Sequence, residues 1–212
     1  MNKIGIAIKM SEPLRKRGRP RSMDKDAALD IAVRLFWERG YEGTSIADLT
    51  SAIGITPPSL YASFGSKEEL FSLALDRYVA RETTERHERL EEAKTAYEGV
   101  TFYLHDAARS ATQEGCPRGC AIANAVLQHA EENARVAHSV AARRAAAFEA
   151  LERRFERAVS EGELQEDTDT RGLARFYGAV VQGMAAQASD GACNETLCGI
   201  IKLALSAWPG KR

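Results

Sequence analysis

The sequence has no apolar run near the ~18 residues that crossing a membrane requires, and Ile4 to Ile8 is too short for the core of a signal peptide. A cytoplasmic protein without a membrane partner is the expectation. A glycine-rich phosphate loop, a nucleophile elbow and an HExxH pair are also missing, and the acids are scattered over amphipathic faces. No enzyme class finds its usual residues here, and no cofactor is expected. Strand-like alternation is absent, which leaves helical periodicity throughout. Cysteines number only four, and His105, His129 and His138 show no ligand spacing around them, so neither a zinc site nor a disulfide framework is expected.

Charge is plentiful but unevenly placed. The 212 residues carry 29 Lys/Arg against 30 Asp/Glu, a net charge of -1. Up to residue 67 there are eleven bases and seven acids; beyond it, eighteen and twenty-three. A basic end on a larger acidic body fits one nucleic-acid module joined to something else.

The module is readable from Thr44 to Lys67, TSIADLTSAIGITPPSLYASFGSK. Ile46, Leu49 and Ile53 give a first helix with one buried stripe, and Gly54 stops it. Ile55 fills the corner, Thr56 is placed to cap the next helix, and Pro57 and Pro58 suit its first turn, where a missing N–H costs little. Leu60 and Phe64 face the core, leaving Pro57, Ser59, Tyr61, Ala62 and Ser63 outward. This is the layout of a helix-turn-helix, whose second helix lies in the major groove. An earlier helix is expected over Asp24–Arg39. Ser66 with Glu69 forms a capping box for a long helix from Lys67 to about Leu90.

Ahead of the module stands Arg15-Lys16-Arg17-Gly18-Arg19-Pro20-Arg21. Its Arg-Gly-Arg-Pro core resembles an AT-hook, which lies in the narrow minor groove of A·T-rich DNA. Arg17, Arg19 and Arg21 would then follow the groove; a solubilising tail is the alternative.

The run from Gly40 to Leu70 resembles the DNA-binding domain of TetR/AcrR-family transcriptional repressors in the aromatic after Gly40, the Gly43-Thr44 pair, the Leu60-Tyr61 pair, Phe64 and Lys67. The resemblance implies an all-α fold: a basic arm over 1–22, a helix-turn-helix domain over 23–70, and a helical ligand-binding and dimerisation domain over 71–212. It implies base and groove contacts from Pro57, Pro58, Ser59, Ala62 and Ser63, and phosphate contacts from Tyr61 and Lys67, with Thr44 and Ser45 adding further phosphate bonds. The reading helix holds no Arg, Asn or Gln, so bidentate base contacts are missing and hydroxyls, methyl contacts and DNA shape must carry specificity.

Beyond residue 92 helices are expected over Ala93–Gln113, Arg118–Ala130, Asn133–Ser160, Thr168–Ala188 and Glu195–Trp208. The last two are strongly apolar on one side, and the resembled repressors dimerise through their last two helices. Tyr177, Val181, Met184, Leu197, Ile201 and Trp208 are therefore assigned to a homodimer interface, with the monomer's own core as the alternative. Phe102, Tyr103, Phe148 and Phe155 are candidate walls of a pocket for a small-molecule inducer. Cys116 and Cys120, in GCPRGC at an expected helix start with Arg118 between them, are candidates for a thiol switch. The functional expectation is a homodimeric repressor that leaves a palindromic operator, double-stranded DNA, when an inducer binds. The alternatives are thiol-sensing regulation through Cys116 and Cys120, or a redox enzyme using that pair.

Overall fold

The computed structural model describes residues 24–123, 125 and 131–210, and these residues form helices and turns with no strand. Arg17, Arg19 and Arg21 of the basic arm lie outside the described residues.

Four helices build the N-terminal unit. α1 (Lys25–Arg39) starts where the Asp24 carboxylate accepts the N–H groups of Asp26 and Ala27, at 3.0 and 3.2 Å. α2 (Ile46–Ile53) opens on a capping box: the Ser45 hydroxyl accepts the Asp48 N–H while the Asp48 carboxylate accepts the Ser45 N–H. α3 is Pro57–Phe64. α4 (Lys67–Glu82) opens on the Ser66–Glu69 box expected from the sequence. Each box satisfies two backbone donors that a helix start otherwise leaves to water. Their apolar stripes meet in one core of Ala32, Phe36, Leu49, Leu60, Phe64 and Phe71. Phe71 packs edge-on to Phe36 with ring centres 4.9 Å apart. Outside this core Arg77 of α4 donates to both oxygens of Asp30 of α1, at 2.6 and 2.8 Å, fixing the angle between the two helices. The core runs past residue 70 to Tyr78 and takes in Val136 and Val140, so the two units share packing.

The expected helix from Lys67 to Leu90 is two helices. α4 ends at Glu82, and α5 (Thr84–Glu92) follows after Thr83. At the junction the Thr83 and Thr84 hydroxyls both donate to the Val79 carbonyl, at 2.9 and 3.5 Å, alongside the Thr83 N–H at 3.0 Å.

α6 (Ala96–Ala111), α7 (Ala134–Ser160), α8 (Thr170–Ser189) and α9 (Asn194–Ser206) complete the second unit, with a short 3-10 turn before α7. The helix expected over Arg118–Ala130 is not formed in its described part, where residues 118–123 are bends and turns. Two ties hold this segment elsewhere: the Gly119 N–H donates to the Ala111 carbonyl at the end of α6, and the Arg118 guanidinium donates to the carbonyls of Ala188 in α8 and Ala192 just after it. The chain is spent on closing α6 and α8 instead of on its own helix.

A second core joins α5 to α9 through Leu104, Leu151, Phe155, Tyr177, Leu197 and Trp208. α7 and α8 approach closely at Gly178, where the Phe148 ring lies so near that a Cβ would meet its Cε1 at 2.0 Å. This packing corrects the interface assigned from sequence. Tyr177, Met184, Leu197, Ile201 and Trp208 are all buried within the single chain, and only Val181 of the six stays partly open. Their apolar spacing reports the stripe turned towards α6 and α7. The outer side of the pair instead carries Phe176, Ala179 and Gly183 of α8 with Gly199 and Leu203 of α9, and Leu203 is 73% exposed. Among the described residues no helix is long and apolar enough to cross a membrane.

Candidate functional site

The α2–α3 corner is held rigidly by short-range chemistry. Gly54 takes the left-handed conformation (φ 78°, ψ 33°), and its N–H and that of Ile55 both donate to the Thr50 carbonyl, at 2.9 and 3.0 Å. A side chain at Gly54 would be strained in that conformation. Thr56 sits at the N-cap in extended geometry, but its hydroxyl meets the Ser59 hydroxyl at 3.0 Å and caps no backbone N–H, contrary to the expectation. Pro57 and Pro58 keep the start of α3 in place with no donors to satisfy.

On α3, Leu60 and Phe64 are buried and Pro57, Pro58, Ser59, Tyr61 and Ala62 are exposed, with Ser63 half-buried. Tyr61 is 49% exposed, an aromatic held in water with its hydroxyl free to reach outward. Ser45 at the start of α2 is exposed, though its hydroxyl also donates to Asp48. That bond, with the Ser45 N–H, holds the Asp48 carboxyl below its ordinary pKa. Thr44 departs from its assigned place. It is fully buried and its hydroxyl donates to the Gly40 carbonyl at 2.8 Å, so it fastens the turn after α1 and cannot meet a phosphate. Lys67 is half-buried, with its ammonium 4.2 Å above the Tyr41 ring. Partial desolvation lowers its pKa, opposed by the nearby Glu42. The Tyr41 partner was not assigned from sequence, although the aromatic after Gly40 marked the position.

A second feature lies between the units. A cavity of about 400 Å³, partly open to solvent, is bordered by the α4–α5 break, α5, α6, α7, α8 and the 120–123 segment. Val79, Ile122, Leu151 and Val181 give it an apolar wall. Of the aromatics assigned from sequence, Tyr103 and Phe148 line it. Phe155 does not: it is buried in the core against Tyr177 and Trp208. Phe102 also lies elsewhere, beneath the Arg89 guanidinium at 4.8 Å. Sequence reasoning missed the polar members, Arg86 and His87 of α5. Arg86 is buried and donates to Asp106 at 2.7 Å and to Ser110 at 3.0 Å, a buried ion pair with its hydrogen bonds largely met. Burial lowers the His87 pKa, helped by the positive charge of Arg86, so its imidazole is neutral near pH 7.

The cysteines separate. Cys120 borders this cavity, accepts the Tyr78 hydroxyl at 3.5 Å and receives the Ala123 N–H at 3.4 Å. Cys116 borders a different cleft, beside Trp37 and Arg34. No helix starts at residue 118, and Arg118 is committed to carbonyls of α8, so the helix-terminus and arginine arguments for an activated thiol at Cys116 both lapse. Cys193, exposed at the start of α9, has its pKa lowered by the Thr196 hydroxyl and N–H beside it.

Comparison with known proteins agrees with this architecture. Residues 28–74 match the model for bacterial regulatory proteins of the tetR family, and residues 96–191 match the tetracyclin repressor-like C-terminal domain. The HTH-type transcriptional repressor ComR of Escherichia coli K12 is 36% identical over 92% of this chain and 93% of its own length. The repressor BdcR of the same organism is 31% identical over 88% of this chain and 90% of its own. A structure of the TetR family transcriptional regulator CifR, a cysteine mutant complexed with 26 bp double-strand operator DNA, superposes with a TM-score of 0.87 at 41% identity. The superposition covers 91% of this chain and all of that one. With its capped corner, outward-facing α3 and helical second unit thus matched along nearly the whole length, the chain belongs to the tetR family of transcriptional regulators.

Proposed function

We propose that the protein is a homodimeric repressor in which α3 enters the major groove of a palindromic operator and a ligand in the α4–α8 cavity sets its affinity for that DNA. The exposed face of α3 on a rigid corner carries this reading. Ser59 and Ala62 are placed for base edges and thymine methyls, and Tyr61 and Lys67 for phosphates. Thr44 is left out because its hydroxyl is used internally. ComR and BdcR are described as repressors, and CifR is described in complex with operator DNA, which supports the same role here. Membership of a family of regulators sets aside the redox-enzyme reading of Cys116 and Cys120.

The dimer would form on the outer side of α8 and α9, through Phe176, Ala179, Gly183 and Leu203, presenting two α3 helices to half-sites about one helical turn apart. Val79 and Thr83 line the cavity, while Tyr78 on the same turn of α4 belongs to the core of the N-terminal unit. A ligand that prefers one arrangement of the α4–α5 break therefore shifts the spacing of the two α3 helices by its differential affinity. One observation favours a thiol-responsive form of this switch: Cys120 joins the cavity to Tyr78 of α4. If so, an electrophile that releases DNA from the native protein should fail on Cys120→Ser.

The test is recovery of bound DNA from a random pool, followed by a screen for release. A palindromic motif whose binding is lost on Ser59 or Tyr61 substitution is expected; enrichment of no motif would overturn the reading.

A further inference from the structure

The charge around the cavity is one-sided. Among the described residues its apolar wall is flanked by four arginines, Arg86, Arg143, Arg144 and Arg153, against a single acid, Glu91. Two of the four are neutralised: Arg86 by Asp106 at 2.7 Å, and Arg143 by Asp76. Glu91 is already paired with Arg157 at 3.5 Å. Among the described residues Arg144 donates to the carbonyls of Ile122 and Ala125, at 3.3 and 3.0 Å, and meets no carboxylate. Arg153 is exposed and meets no carboxylate at ion-pair distance among the described residues. Two full positive charges thus stand beside an apolar wall formed by Ile122, Phe148 and Leu151. Of these two, Arg153 also bears on His87: after burial and the charge of Arg86, its charge pushes the His87 pKa down. Arg175, its guanidinium carbon 4.5 Å from the centre of the Phe148 ring, adds a further cation nearby.

A neutral apolar molecule would leave these cations unanswered, and a cation would be repelled. We propose that the cavity takes an amphipathic anion, with a carboxylate head drawn to the uncompensated guanidinium groups of Arg144 and Arg153 and an apolar tail lying along Phe148 and Leu151. This rests on the reading of the cavity as the effector site. About 400 Å³ suits a tail of medium length, and planar guanidinium groups suit a carboxylate better than any neutral head.

Sodium octanoate, 1-octanol and octylamine share one tail and differ in the charge of the head, so calorimetric titration of the full-length protein with each isolates the head. Octanoate is expected to bind roughly tenfold or more tightly than octanol, with octylamine weakest and with octanoate affinity falling as salt rises. Arg144→Gln with Arg153→Gln should weaken octanoate by about tenfold and leave octanol unchanged, and Arg153→Lys, which keeps the charge, should retain part of the preference. Thermal melts without ligand identify any variant that fails to fold, and Arg153→Gln alone, at an exposed position, supplies the same comparison. Equal affinity for octanoate and octanol, indifference of octanoate to the Gln substitutions, or no octanoate binding would overturn the inference. Charge-dependent octanoate binding that leaves affinity for the selected DNA unchanged would support the ligand class and instead overturn the effector reading.

Discussion

Around the α2–α3 corner every structural decision is made by a residue close in sequence. Ser45 caps with Asp48, Gly54 turns the chain, Pro57 and Pro58 start α3, and Ser66 caps with Glu69. In α8 and α9 the decisions are made at long range: Tyr177 is buried by Phe155 and Trp208, and Gly178 is set by Phe148. The first region can be read from sequence down to individual outward side chains. In the second, apolar periodicity says that a face is covered but not what covers it. Five substitutions sharpen or break this contrast.

The largest effect is expected inside the second region. Trp208→Ala removes a buried indole packed on Tyr97, Phe155 and Tyr177, at a cost of about 3–5 kcal/mol. Thermal unfolding should show a much lower Tm; a near-native melt would return Trp208 to an interface role. Next comes the outer side of the same pair. Leu203→Glu should leave helical content intact while moving the protein towards monomer in analytical ultracentrifugation, because a charge would be buried unpaired between two copies. A dimer indifferent to this change would place the contact elsewhere.

Smaller effects belong to the corner. Ser66→Ala should cost about 1 kcal/mol through the lost capping bond, seen in chemical unfolding. Full stability would show that the cap is redundant. Tyr61→Phe is expected to weaken DNA several-fold without regard to sequence, about 1 kcal/mol for one phosphate bond, by fluorescence anisotropy. Loss confined to one DNA sequence would instead make Tyr61 a reader of bases.

The smallest concerns His87. Its folded pKa lies below the ordinary value, so the unfolded chain binds the proton first as pH falls. Its contribution is complete above about pH 6.5 and is lost as pH drops through the folded pKa. His87→Gln should therefore flatten the decline in urea stability between pH 7.5 and 5.5. An unchanged slope would assign that decline to other groups.

How far the sequence can be read follows the same division. Helix boundaries from α1 to the start of α4, the buried Leu60 and Phe64, and the exposed Pro57, Ser59 and Tyr61 follow from caps, breakers and the 3.6-residue period. Thr44 failed as a phosphate ligand because its hydroxyl found the Gly40 carbonyl four residues back, a choice composition does not reveal. The Thr83 break was hidden because neither Thr83 nor Thr84 is a strong helix breaker. Residues 118–123 were misread because Arg118 is claimed by α8, seventy residues away in the chain. In the cavity, Tyr103 and Phe148 were visible as aromatics, whereas His87 and Cys120 reach it only through tertiary packing.

The central claim, that the outward side of α3 reads operator DNA, is tested most directly by Ala62→Glu on the full-length protein. Ala62 is exposed and mid-helix, so the new carboxylate leaves the core untouched but faces the polyanion at close range. Anisotropy titration of the selected DNA should show affinity reduced on the order of 100-fold or more, with Tm unchanged. Native affinity in a folded Ala62→Glu protein would contradict the claim and move the DNA-binding surface away from α3.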